Sequence, residues 1–207
     1  MNNTDAFFGT PMFREEIPKW ADEVNKICDP YLKEIIEEQD KGKIGQVFHT
    51  GSLLEEPRLR FLIDYVSNKS IEFLNYMGYD LDNHSVIFKD FWVQEFTKHG
   101  GGHHRVHIHE NCHISGFFFL KNENSSYPLF HDPRFGHTMS RLPEKAESGI
   151  SFVNKVINMQ PKPGTLILFP SYLPHEFVIS MENKPFRFIH MNLQGIENKI
   201  LYNEGAR

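Results

Sequence analysis

Apolar residues in the first eighty positions recur at helical spacing. Trp20, Val24, Ile27, Tyr31 and Ile35 fall on one face of a helix over residues 17–40, and Pro18 suits its first turn. A second helix is predicted from about Pro57 to Met77, with Leu59, Leu62, Val66, Phe73 and Met77 inward and Gly78 as its stop. After residue 84 the period shortens. Eight β-branched and aromatic segments follow, at 85–96, 104–109, 114–121, 127–132, 150–159, 164–170, 175–181 and 186–193, separated by Gly, Pro, Asn and Asp. Short strands at such intervals predict a jelly roll or a related double-sheet structure. Helices first and strands after give an α+β chain, its helices buttressing one sheet. No repeat or linker divides it, so residues 1–207 are expected to be one domain, with a helical lead-in over about 1–84 and a β core over about 85–196.

Composition narrows the function classes. Of 207 residues, 40% are hydrophobic and 24% charged, an ordinary globular balance, and the 19 phenylalanines suit a β-rich interior. A net charge of −5 argues against a nucleic-acid partner, which needs a concentrated basic surface. No apolar run reaches membrane-spanning length, and the first residues lack a secretion signal. Cys28 and Cys112 are far apart, which argues against a disulfide framework or a cysteine zinc site; the cytoplasm is the expected location. Oligomeric state is not readable from the pattern.

The 12 histidines are unevenly placed, six of them between His99 and His113. Residues i and i+2 of a strand share a face, so His107 and His109 can aim two imidazoles at one point. That is half of a site for iron, zinc, copper or nickel. His175, after the apolar strand and Pro-bounded turn GTLILFPSYLP, is the best third donor. Satisfied surface or core histidines are the plainer alternative. His99, His103 and His104, in a Gly-rich turn, read as solvent-exposed; His113 could support the site, and His131, His137 and His190 are left as structural or substrate-facing. Arg187 sits among Phe186, Phe188 and Ile189, where a guanidinium needs an anion: either a ligand carboxylate gripped in its fork, or a protein carboxylate such as Glu182 at the surface.

Those residues, in order, resemble the 2-oxoglutarate-Fe(II) oxygenases related to prolyl hydroxylases, whose pattern runs HxHP…SGVYY…DPR…PGxLxLFPSxLxH…RxSxxxN. The matching pieces are His107-Ile-His109, Ser115 to Phe119, Asp132-Pro133-Arg134, Pro163-Gly164 through Phe169-Pro170, His175, Arg187 and Asn192. The likeness spans about residues 45–195. It implies a double-stranded β-helix, Fe(II) near one open end, and 2-oxoglutarate and O2 as co-reactants. The implied reaction hydroxylates a C–H bond and releases succinate and CO2. By the same resemblance His107, His109 and His175 hold the metal, Arg187 receives the far carboxylate of 2-oxoglutarate, and Asn192 lies at the cofactor; Asp132 and Arg134 would face substrate. Two departures stand out. Most of the superfamily use His-x-Asp or His-x-Glu, so the second donor here is either His109 or a carboxylate such as Glu110 or Asp132; and Ile189 replaces the usual serine two positions after the arginine.

The resemblance extends to substrate only by analogy: a small molecule or a peptidyl residue, proline among them. The polar loop over 131–149, with Arg134 and Arg141, could gate access. A cupin-type three-histidine metalloenzyme that does not use 2-oxoglutarate is the first rival, suggested by Gly101 six residues before His107. A β-sandwich that binds without turnover is the second.

Overall fold

The computed structural model describes residues 5–123, 125–134, 136, 139, 142–145, 149–179 and 184–199. His137, Arg141 and Glu182 lie outside them, and with them much of the expected gating loop. The chain forms β1 (Phe13–Glu16), α1 (Pro18–Gln39), β2 (Val47–His49), a 3-10 turn (Pro57–Leu59), α2 (Arg60–Tyr76), β3 (His84–Phe96), β4 (His104–His107) and β5 (Ile114–Lys121). It continues with β6 (Pro128–His131), β7 (Val156–Asn158), β8 (Thr165–Pro170), β9 (His175–Phe177) and β10 (Phe186–Glu197). Both helices lie where their periodicity placed them, and α2 ends as expected before Gly78, which has φ of +89°.

The strands form two antiparallel sheets, β1-β8-β5-β10-β3-β2 and β4-β9-β6-β7. Strand alternation gives the larger sheet two apolar faces. Phe91, Val93, Ile114, Phe118, Leu166, Leu168, Ile189 and Met191 join Val24, Leu32, Leu62 and Val66 of the helices in one cluster. Their sequence neighbours Phe96, Phe117, Phe119, Ile167, Phe169 and Phe188 point the other way and meet Phe130 and Phe177 of the smaller sheet. The result is three layers, helices on sheet on sheet, with a phenylalanine-filled interior between the sheets. Each buried Phe contributes on the order of 2–3 kcal/mol.

All eight expected strands are present, seven of them with shifted ends and β5 with the expected bounds. The segment 150–159 pairs only over Val156–Asn158, because Ser151 to Asn154 form a turn and Ile150, Phe152 and Val153 stay exposed. Two strands escaped the sequence reading. β1 and β2 are too short to show alternation, and both are held by distant partners, β8 and β3.

Gly164 locks β8 to α1. Its φ is +90°, its N–H donates to Phe119 O and its carbonyl accepts from Ile17 N, both at 2.7 Å. A Cβ there would lie 2.5 Å from Pro18 Cα. Gly164→Ala combines a left-handed backbone penalty with a backbone clash, and is expected to lower unfolding free energy by roughly 2 kcal/mol or more. Urea denaturation of the variant checks this; an unshifted midpoint contradicts it.

Candidate metal centre

The register that pairs the short sheet also assembles the histidines. β4 and β9 lie side by side with His107 opposite His175, and the chain leaving β4 is held to the β8–β9 turn by His109 N–H donating to Ser171 O at 3.1 Å. The three imidazoles each offer one ring nitrogen, and those nitrogens all lie within 4.8 Å of one another. Cis ligands at a metal–nitrogen distance of ~2.1 Å sit ~3 Å apart, so the spacing needs only a small contraction around an ion. His175 is fully buried, packed by Phe169 and Phe117 at ring separations of 4.8 and 5.7 Å.

Backbone acceptors orient two of the rings. The Nδ1 of His175 meets Leu173 O at 2.9 Å and that of His107 meets Arg105 O at 2.7 Å. As donors at Nδ1, both rings turn an Nε2 lone pair inward. The His109 Nε2 lies 3.3 Å from the His175 Nε2. On its other side His109 faces Asn192, whose amide donates to Asp90 Oδ2 at 2.7 Å and whose Oδ1 accepts from Ser115 at 2.6 Å. The Asn192 amide nitrogen lies 3.3 Å from His109 Nδ1 and 3.0 Å from His190 Nε2, at the floor of the site.

Burial favours the uncharged form of His104, His109, His175 and His190. It drops the pKa of His109 and His104 to about 4 and that of His175 to about 3, and keeps His190 well below its ordinary value. Neighbouring histidines add to the depression; for His175 the Leu173 carbonyl opposes it. The unfolded chain binds protons near pH 6.5, so between about 6.5 and 4 it takes up more protons than the folded chain. Stability is therefore full above that window and falls as pH drops through it. The metal-free protein should show a urea midpoint that declines steadily from pH 7 to 4.5; a flat profile would contradict the buried neutral cluster.

Beside the three rings lies a cavity of about 70 Å³ lined by Trp92, Gln94, His104, His107, His109, Phe117, Phe177, Phe188 and His190. Trp92 stacks on His190 at 4.6 Å, and the Gln94 amide contacts His104 Nε2 at 2.5 Å. His104, read from its Gly-rich turn as exposed, belongs to this wall; His103 is exposed and His99 pairs with Asp40, as a turn position suggests. Trp92 and Gln94 went unnoticed, and His190, left as structural or substrate-facing, lines the cavity; Trp92 and Gln94 share one face of β3, and His190 and Asn192 one face of β10.

The expectation for Arg187 needs correction. It lies five residues before Asn192, and an odd separation puts the two on opposite faces of β10. Asn192 faces the site; Arg187 faces the helices. Its Nε donates to Glu95 Oε2 at 2.5 Å and its NH1 to Asn25 and Asp29. The arginine is 4% exposed and its fork is occupied by protein carboxylates. The residue of that level that faces the interior is Phe186 or Phe188. Glu110 is exposed, and Asp132 is bound by Arg134 in a bidentate pair, so neither joins the three nitrogens.

Residues 90–188 match the model of a family described as "Putative 2OG-Fe(II) oxygenase". A comparison with curated protein sequences gives no match. The fold is shared with AviO1 from Streptomyces viridochromogenes Tue57 (TM-score 0.62, 10% identity, covering 89% of this chain and 90% of that one). It is shared also with a Pseudomonas putida prolyl-4-hydroxylase (TM-score 0.55, 11% identity, 88% and 91% covered). A third is the Trichoplax adhaerens prolyl hydroxylase solved with a hypoxia inducible factor peptide fragment (TM-score 0.56, 15% identity, 91% and 84% covered). The architecture is thus the double-stranded β-helix. The core that carries the histidines is similar to the 2-oxoglutarate-Fe(II) oxygenases, and the activity that this match and the shared fold support is that of a 2-oxoglutarate-dependent dioxygenase. The cofactor set of that family is Fe(II), 2-oxoglutarate and O2, which sets the cupin-type alternative aside. The converging imidazoles fit Fe(II). No helix among the described residues is long and apolar enough to cross a membrane.

Proposed function

We propose that this chain, acting as one domain, is a hydroxylase whose Fe(II) is held by His107, His109 and His175, and that its substrate is a small molecule or a peptidyl residue such as proline. The convergence of three ring nitrogens within 4.8 Å beside an open cavity carries the reading. Bound together, the metal and 2-oxoglutarate supply an oxidative decarboxylation to succinate and CO2 that is coupled to C–H hydroxylation. The chain's own work is to orient and to exclude water. Leu173 O and Arg105 O fix two rings, and Phe117, Phe177 and Phe188 keep the cavity wall apolar. The Asp132–Arg134 pair begins two residues beyond the β6 position that faces His175 on β9, and substrate would meet it there.

The test is an anaerobic titration with Fe(II) and then 2-oxoglutarate. A visible charge-transfer band that needs both, followed in air by succinate release that a substrate accelerates, is the expected result. Iron binding with no band on addition of any 2-oxo acid would overturn the reading.

A further inference from the structure

Among the described residues the far carboxylate of 2-oxoglutarate has no arginine to meet it. Among the described residues no Lys or Arg lines the cavity, and Arg187 is turned into the helix layer with its fork filled by Glu95 and Asp29. Two neutral donors stand there instead. The indole Nε1 of Trp92 is buried without a hydrogen-bond partner, although the residue lines the cavity. A buried orphan donor is rare and calls for an acceptor. Gln94 follows two residues later on the same face of β3, ~7 Å along the strand, and is 6% exposed. Its amide nitrogen carries two hydrogens, of which the His104 contact uses one.

We propose that Trp92 and Gln94 form an uncharged clamp for the distal carboxylate of the 2-oxo acid, each donating one N–H, and so set the preference for a dicarboxylate. This rests on the metal reading above. Charge balance favours it: three neutral imidazoles leave the ion's full double positive charge in place, and that offsets both carboxylates of 2-oxoglutarate without a protein cation. Phe117, Phe177 and Phe188 around the clamp lower the local dielectric, which strengthens N–H donation to an anion. The clamp residues therefore position the cosubstrate, while the ion attracts it.

The test is calorimetric binding to the Mn(II)-loaded protein, an oxygen-stable state with no turnover, using 2-oxoglutarate and 2-oxobutyrate, which lacks the distal carboxylate. The wild type should bind 2-oxoglutarate at least tenfold more tightly. Trp92→Phe, which keeps the stacked ring and removes the N–H, and Gln94→Leu should each lose about tenfold for 2-oxoglutarate and change 2-oxobutyrate little. Thermal melts should confirm that both variants are folded. Variants that keep the wild-type preference, or a wild type that binds both acids equally, would overturn the clamp and leave the metal reading standing. A wild type that binds Mn(II) but neither acid would overturn both.

Discussion

His175→Ala is expected to weaken Fe(II) binding by roughly a hundred- to a thousandfold and to abolish 2-oxoglutarate turnover, because one of three donors is worth a few kcal/mol of a metal's binding free energy. His175 is the most constrained of the set. It is fully buried, held by Leu173 O, and ringed by Phe117, Phe130 and Phe169. No other described carboxylate or imidazole is grouped with the three that could replace it. Removing a buried ring also leaves a void, so a loss of iron could reflect a loss of fold. His107→Ala separates the two causes, since His107 is only partly buried and opens onto the cavity. Both variants should lose the metal in anaerobic equilibrium dialysis, whereas the melting temperature of the metal-free protein should drop mainly for His175→Ala. Stoichiometric, tight iron in a folded His107→Ala protein would remove it from the ligand set.

Much of this site could be read without coordinates because it is local. His107 ends β4 and His109 follows two residues later, and that i, i+2 spacing is visible without tertiary information. His175 stands at the end of a Pro-bounded turn whose apolar lead-in announces a buried strand. What escaped was contributed by long-range register. Trp92 and Gln94 are unremarkable on β3 until β10 is laid beside it with Trp92 opposite His190. His104 looked like a turn residue because HGGGHH is dominated by glycine; only the pairing of His104 with Phe177 draws it into the wall. β1 and β2, four and three residues long, exist through their partners alone. The misplacement of Arg187 is of another kind. Its odd separation from Asn192 was present in the sequence, and parity alone would have sent the two to opposite faces of one strand.

That correction yields the second large effect. Arg187→Ala is expected to destabilise the protein by about 3–5 kcal/mol while leaving 2-oxoglutarate affinity of the folded, Mn(II)-loaded protein within about twofold. The loss comes from what remains. Glu95 is buried and opposite Arg187 across the β3–β10 ladder, so truncation strands its carboxylate in the sheet–helix interface without a counter-charge. Asp29 is half exposed and, with Lys121 nearby, can turn to solvent, so it contributes less. Urea denaturation reads the first effect and calorimetry the second. If the cost lies in the stranded charge, removing the charge should relieve it: Arg187→Met combined with Glu95→Leu is expected to recover most of the stability, because a matched apolar pair replaces a buried ion pair at little cost. A receiver of the cosubstrate would behave in the opposite way. Arg187→Ala would then melt near the wild-type temperature and lose 2-oxoglutarate binding by tenfold or more, and the double variant would not restore it. That pattern would return the guanidinium to the active site and displace the neutral clamp on β3.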